Sequence, residues 1–155
     1  MIKLRLIVTL RVVLLFLCSA LSLAVEKPDN RERCPVCGMF VAPYPSWLAI
    51  IIFNDDSQLF FDGPKDLFRF YLDWPEKESR QKSDITAIYV TEYYSTRLMK
   101  KEDVLFVIGS DVYGPMGQEL VPVAGQKVAE GFKRDHRGKK IISFEQVSKS
   151  ELPDQ

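Results

Sequence analysis

The sequence contains very little histidine, and this scarcity limits the metal sites that it can build. His136 is the single histidine among 155 residues, and it lies in a charged stretch far from the cysteines. A structural zinc site normally takes four nitrogen or sulfur ligands. Cys34, Cys37 and His136 supply three, so a zinc site of that kind within one molecule would lack a ligand.

An excess of positive charge is also missing. The chain has 21 basic and 21 acidic residues, and without residues 1–24 it has 18 basic and 21 acidic ones, a formal charge of −3. Domains that bind nucleic acid are normally clearly basic on at least one face. The composition therefore argues against nucleic acid as a partner.

The apolar run near the N-terminus is too short for a membrane-spanning helix. Residues 12–25 carry no charge over 14 positions, whereas a spanning helix needs ~20. Basic residues precede this run and "SLA" at 22–24 follows it, which is the layout of a secretory signal peptide. We expect cleavage after Ala24 and export. The alternative is a lipoprotein anchored to the membrane through Cys18, although Phe16 and Leu17 before it are larger than that cleavage prefers.

Strand and helix signals along the exported part of the chain predict an α+β fold. "WLAIIIF" at 47–53 is apolar without polar alternation, which predicts a strand buried on both faces. Turn residues lead from it into a second strand at 58–62. Pro64 suits the first helical position, and apolar residues at i, i+4 spacing predict a helix over 64–73. The β-branched and aromatic content of 85–96 predicts a third strand.

The second half of the chain repeats this order. The pattern predicts strands at 104–109, 118–123 and 139–147, with a helix at 126–136 before the last of them. The simplest description is two small homologous ββαβ units with mainly antiparallel sheets. We expect a signal peptide at 1–24, a first unit with its cysteine-bearing arm at 25–98, and a second unit at 99–155. The second unit has a longer hairpin connection, "SDVYGPMG" at 110–117, which carries Met116.

The stretch "RCPVCGMF" at 33–40 contains a Cys-x-x-Cys pair, for which redox and structural explanations both exist. A thioredoxin-like pair needs a strand before it and a helix starting at the first cysteine. No strand signal precedes Cys34 here, and glycine and prolines follow. A structural disulfide between Cys34 and Cys37 would close a loop of about four residues. The lower entropy of the unfolded chain would then stabilise the fold by only ~2 kcal/mol, from which any strain in the bond must be subtracted.

A Cu(I) site is the remaining explanation of the same stretch. Thiolates and thioethers are soft ligands that select Cu(I). Cys34, Cys37 and Met39 lie within six residues of one another, and Met116 lies on a loop next to glycine and proline. Methionines also commonly fill gaps in a core, so this assignment competes with a packing role for Met39 and Met116.

Four segments of the sequence resemble the NosL family of copper-binding accessory proteins. They are "CPVCGMFVAPYPSWLAIIIF", "LFFDGPKDLFRFYL", "YGPMGQELVPV" and "HRGKKIISFEQV". The resemblance covers nearly the whole exported chain, and Cys-Gly-Met early with Gly-Pro-Met-Gly-x-Glu late is a specific combination. The two-unit ββαβ architecture of that family agrees with the pattern of strands and helices.

The resemblance implies a periplasmic Cu(I) chaperone rather than an enzyme. Its partner would be a copper-enzyme assembly complex or the recipient copper enzyme itself, in this family nitrous-oxide reductase. Carried over position by position, the resemblance implies the copper ligands Cys37, Met116, Cys34 and Met39, in that order of preference.

Two other functions are compatible with the same residues. A periplasmic thiol–disulfide redox protein would use Cys34 and Cys37 as a reversible two-electron couple. A plain interaction domain would use them only as a structural disulfide, and acidic residues such as Asp55, Asp56 and Glu119 would solvate its surface.

Overall fold

The computed structural model describes residues 25–76 and 78–153. The signal peptide predicted at 1–24 lies outside the described residues, as does Cys18. Within the described ranges, the chain forms two mixed units that follow one another in sequence. The first contains β1 Ala49–Phe53, β2 Gln58–Phe61, α1 Pro64–Leu72, β3 Ile85–Thr91 and β4 Leu98–Lys100. The second contains β5 Leu105–Ile108, β6 Tyr113–Gly114, β7 Gly117–Gln118, β8 Val121–Val123, α2 Gln126–Asp135 and β9 Lys140–Ile142.

The two larger sheets share the arrangement of three strands, to which the first sheet adds β4; β6 and β7 form a separate two-stranded sheet. In the first sheet the strand order is β2-β1-β3-β4, and in the second it is β8-β5-β9. In each unit the first strand is central, the hairpin partner lies on one side and the strand after the helix lies on the other. All these pairings are antiparallel. The structure confirms the predicted α+β class with two ββαβ units.

Three predicted strands are shorter than expected because polar side chains turn the backbone at their ends. The strand predicted at 85–96 ends at Thr91, where the Glu92 carboxylate accepts the N–H of Ser95 at 2.7 Å and forms a turn. The strand predicted at 139–147 ends at Ile142, and Ser143 then caps a short 3₁₀ turn. The strand predicted at 118–123 is split into β7 and β8 at Glu119, whose side chain is buried.

Strand β1 lies at the centre of the main core, as its uninterrupted apolar sequence predicts. All five of its residues are buried. The core also joins the two units, because the ring of Phe68 on α1 lies 5.0 Å from that of Phe106 on β5 and 4.7 Å from that of Phe144. A smaller cluster lies between β5, β8 and α2. Of the helices in the described ranges, none is both long and apolar enough to cross a membrane.

Candidate metal centre

Cys34 and Cys37 lie on a tight turn that precedes the first sheet. The N–H of Cys34 donates to the carbonyl of Met39 at 2.8 Å, and the N–H of Gly38 donates back to the carbonyl of Cys34 at 2.9 Å. Gly38 adopts φ +76°, a conformation that glycine enters at little steric cost. The turn buries Cys34, which is 2% exposed, and leaves Cys37 half-buried. Both cysteines are free thiols.

Two buried aspartates face this turn from the junction between β2 and α1. Asp62 follows β2 directly and Asp66 lies in the first turn of α1, and their exposures are only 1% and 2%. The Cys34 thiol donates to the carboxylate of Asp66 at 3.3 Å, and the Cys37 thiol donates to that of Asp62 at the same distance. One ligand atom from each of the four residues lies within 4.8 Å of the others. The fold therefore brings two sulfur and two oxygen donors together.

The surroundings keep both cysteines protonated when no cation is present. Burial raises the pKa of Cys34 well above its usual range, and it raises that of Cys37 to about 11. The neighbouring aspartates raise these pKa values further, because each accepts a hydrogen bond that only a protonated thiol can donate. A bound metal ion reverses this preference, since a coordinating thiol loses its proton to the metal. A metal ion that bound to both thiols of this turn would therefore release their protons.

One basic side chain partly offsets the acidic charge of the cluster. Arg69, one helical turn after Asp66 on α1, approaches its carboxylate at 3.3 Å and is 16% exposed at its side chain. A second Arg69 nitrogen donates to the carbonyl of Pro153 at 2.8 Å. This ion pair fixes the orientation of Asp66, whereas Asp62 has no ion pair of this kind among the described residues.

Met39 lies beside the cysteines, and Met116 lies on a separate hairpin. Met39 and Cys37 line the same open groove of about 380 Å³. Met116 occupies the two-residue turn between β6 and β7 and is 38% exposed. The carbonyl of Met116 accepts a hydrogen bond from Nζ of Lys65 at 2.5 Å, and Lys65 directly precedes Asp66. The Met116 hairpin is thus tied to the helix turn that carries one of the aspartates.

Glu119 makes the other connection between the Met116 hairpin and α1. The residue before the helix, Gly63, has no side chain to cap it. Glu119 supplies the cap from the second unit, because its carboxylate accepts the N–H of Lys65 at 2.5 Å as well as that of Leu120 at 3.0 Å. Burial raises the pKa of Glu119 to about 8. Glu119 is 2% exposed, so the interpretation of this residue as surface solvation is wrong.

Sequence reasoning found the cysteines and missed the carboxylates. The signal that precedes α1 is "DGPKD" at 62–66, in which the two aspartates lie four residues apart across a strand-to-helix junction. By itself, this segment predicts only the start of a helix. His136 lies apart from the four-residue group, with its Nδ1 3.4 Å from Asp111 and its ring stacked on Phe132 at 4.3 Å between centroids.

Comparisons with known proteins agree with this architecture. The family model described as NosL matches residues 25–152. A solved structure, the copper chaperone NosL from Shewanella denitrificans, superposes with a TM-score of 0.69 at 21% identity, covering 83% of this chain and 98% of that one. A search of curated proteins gave no match. Because the family model spans most of the chain, and the fold is shared with a solved NosL structure, this protein belongs to the NosL family.

Proposed function

We propose that this protein is a periplasmic Cu(I) chaperone, which carries copper as its cargo and delivers it to a copper-enzyme assembly system. The observation that carries the proposal is the pair of free thiols on one turn, held beside a methionine at the surface. Family membership and the copper chaperone named among the solved structures support it. No bond in a substrate is made or broken in this role, so we do not assign an enzymatic activity.

The donor types near the turn suit a soft monovalent ion. Thiolate and thioether sulfur bind Cu(I) in preference to hard cations, and Cu(I) accepts two or three such ligands. Cys34 and Cys37 supply the thiolates, and Met39 lines the same groove as Cys37. Met116 is the second thioether that we assign to the site. In this assignment copper joins the cysteine arm to the hairpin of the second unit.

The difference in exposure between the two cysteines suits transfer of the ion. Cys34 is buried and Cys37 is half-buried at the edge of an open groove. An incoming thiol or thioether of a partner protein therefore reaches an ion bound to Cys37 without unfolding the core. We propose that the partner is an assembly complex or a recipient enzyme, with nitrous-oxide reductase as the family's expected recipient.

The thiol–disulfide alternative has less support. Cysteines of redox enzymes commonly have lowered pKa values and lie at a helix N-terminus. Burial raises the pKa of Cys37 to about 11, and the cysteine turn is followed by coil and β1 rather than by a helix. A slow disulfide at this turn is compatible with these features, but efficient redox catalysis is not.

The decisive experiment is an anaerobic titration of the reduced protein with Cu(I) against a chromophoric chelator. We expect one equivalent to bind with sub-nanomolar or tighter affinity. Cys37→Ser should lower this affinity at least tenfold, about 1.4 kcal/mol, with little change in thermal stability because the side chain is half-buried. Ser79→Ala, at an exposed position away from the cysteine turn, is the control.

Two results would count against the proposal. If the reduced wild-type protein fails to compete for Cu(I), the chaperone proposal is wrong, and a structural disulfide or a redox pair is favoured. Unchanged affinity in Cys37→Ser would remove Cys37 from the ligand set. A reduction-potential measurement on the cysteine pair would then separate the two alternatives.

A further inference from the structure

The open groove that exposes Cys37 contains a single side chain with a formal charge. Arg33 is exposed, and among the described residues that line the groove it alone is charged. The Asp62 carboxylate, which accepts a hydrogen bond from the Cys37 thiol, is 1% exposed and does not line the groove. The other side chains there are those of Met39, Phe40, Pro43 and Tyr44. A positive charge therefore lies beside the thiol at the surface.

The guanidinium of Arg33 is held in position, but its charge is not paired. It donates one hydrogen bond to the carbonyl of Gly38 at 2.7 Å, and its central carbon lies 3.9 Å from the centroid of the Phe40 ring. Among the described residues it forms no ion pair with a carboxylate. Arg31, by contrast, lies 3.7 Å from Asp29. Because arginine has five N–H donors in a planar fork that matches a carboxylate, Arg33 is preorganised to receive one.

The rest of the groove suits the apolar part of a protein segment. Phe40 is 41% exposed, which is high for a phenylalanine ring, and Pro43 and Tyr44 extend the apolar surface beside it. Arginine and aromatic side chains are enriched where proteins bind one another. The volume of about 380 Å³ accommodates only a few side chains. The groove therefore fits a short segment that combines a carboxylate with a small apolar surface.

We propose that this groove docks an acidic segment of the protein that accepts copper, with a carboxylate of the segment on Arg33 and its thiol or thioether beside Cys37. Recognition of an anionic segment depends on Arg33 and the groove alone, whereas its use in copper transfer rests on the proposed chaperone function. The ion pair orients the acceptor sulfur before ligand exchange. Attraction between opposite charges also raises the rate of encounter.

The reactivity of the Cys37 thiol tests the charge of the groove without copper. The reduced protein reacts with dianionic dithiobis(nitrobenzoate) or with neutral dithiodipyridine; in both cases the thiolate attacks the reagent's disulfide, and an aromatic thiolate leaves. The first thiol to react is Cys37, because Cys34 is 2% exposed. Arg33→Gln should lower the ratio of the anionic to the neutral rate constant by at least about threefold, and by less at high salt.

The ratio of the two rate constants separates charge from structure. Opening of the turn, or a change in the ionisation of Cys37, alters both rate constants together and cancels in the ratio. Arg33→Lys keeps the charge and should restore the ratio. Arg31→Gln is the matched control, because Arg31 lies on the same arm with a side chain that is 93% exposed and does not line the groove. This control should leave the ratio within about 1.5-fold.

Copper transfer is measured with two acceptor peptides that differ only in charge. One contains a Cys-x-x-Cys pair between aspartates, and in the other asparagines replace the aspartates. Mass spectrometry follows the loading of each peptide from the Cu(I)-loaded protein. Arg33→Gln should slow loading of the aspartate peptide at least about threefold more than that of the asparagine peptide. The equilibrium affinity for Cu(I) should stay within about threefold, because a guanidinium is not a copper ligand.

The outcomes separate this inference from the copper function. Equal reagent ratios in the wild-type protein and Arg33→Gln would overturn the docking surface. An equal effect of Arg31→Gln would do the same, because the attraction would then belong to the whole arm. Equal slowing of the two peptides would overturn the acidic acceptor. A protein that fails to bind Cu(I), but keeps the dependence of the reagent ratio on Arg33, would overturn the chaperone function and retain the recognition of an anionic segment.

Discussion

At the scale of single residues, Cys34 and Cys37 differ in environment although they lie on one turn. Cys34 is enclosed beside Asp66, whereas Cys37 borders the open groove that Met39 and Arg33 also line. The guanidinium of Arg33 holds the turn by donating to the carbonyl of Gly38 at 2.7 Å and by lying 3.9 Å from the centroid of the Phe40 ring. Of the two cysteines, Cys37 is therefore the one that the proposed partner would reach, and it lies on a turn that is itself well anchored.

Substitution of Met116 tests whether the second unit supplies a copper ligand. Replacing it by leucine keeps the side-chain volume and removes only the sulfur, so the Cu(I) affinity should fall by about threefold to tenfold while thermal stability is unchanged. Met99→Leu is the control, because Met99 lies on β4, at the opposite edge of the first sheet from β2 and the aspartates. Equal Cu(I) affinities in the two variants would assign Met116 to packing instead. The measurement is a chelator competition titration.

At the scale of secondary-structure elements, α1 depends on a cap from the other unit. Gly63 precedes the helix, and the Glu119 carboxylate occupies the space where a side chain at that position would lie. The N–H of Lys65 is then satisfied by Glu119 rather than by a local residue. Helix α1 carries Asp66, so the capping contact also helps to position the candidate metal centre.

Gly63→Ala tests this close approach. A Cβ at Gly63 would overlap Glu119, which forces the carboxylate away from the helix, and we expect a loss of about 1 to 3 kcal/mol in the free energy of unfolding. Gly131→Ala in α2 is the matched control, since the nearest atom to its Cβ is a flexible Arg134 nitrogen at 3.8 Å. That change should stabilise the protein by up to about 1 kcal/mol through helix propensity. Urea unfolding measures both, and equal effects of the two substitutions would contradict the capping contact.

The raised pKa of Glu119 predicts an unusual dependence of stability on pH. Burial raises this pKa from 4.5 to about 8, so the native state retains a proton that the unfolded chain has already lost. The free energy of unfolding contributed by this group is therefore largest below pH 4.5 and decreases as the pH rises to about 8. Glu119→Gln, which mimics the protonated carboxyl, should flatten the profile across this window. Urea unfolding from pH 5 to pH 8.5 provides the comparison, and parallel wild-type and variant profiles would show that Glu119 does not titrate there.

At the scale of the whole molecule, the two units share one core and should unfold together. The rings of Phe68, Phe106 and Phe144 meet where α1 packs against the second unit. Trp74 packs in the main core, whereas Trp47 packs against the smaller cluster of the second unit. The two tryptophans therefore report on different parts of the same fold.

Single-tryptophan variants test this cooperativity. Trp47→Phe and Trp74→Phe each leave one fluorescent tryptophan. After correction for the change in unfolding free energy that each substitution causes, the two variants should have the same urea unfolding midpoint. Phe68→Ala should lower the free energy of unfolding by about 3 to 5 kcal/mol, because it removes a fully buried ring. This substitution should lower the urea unfolding midpoint reported by each tryptophan by the same amount. Separate transitions for the two reporters would show that the units are independent domains.

The sequence by itself determined the two helices, the main strands and their order, but not the short strands β4, β6 and β7. The apolar run at β1, the Pro64 helix start and the repeated β-branched segments are local patterns, and they predicted the ββαβ repeat with its antiparallel pairing. Pro122 lies in the edge strand β8, where its missing N–H is harmless. The Cys-Gly-Met and Gly-Pro-Met-Gly motifs identified the family. The roles of Met39 and Met116 as ligands stay predictions.

Only the tertiary structure decided which groups surround the cysteines. Asp66 and Asp62 reach them across 32 and 25 residues of chain, and Glu119 reaches Lys65 across 54. A carboxylate at a helix start looks the same in sequence whether it faces water or a thiol, because local patterns encode the conformation of a segment and not its neighbours. The packing of α1 between the cysteine arm and the second unit buries these carboxylates and brings the four donor groups of the candidate metal centre together.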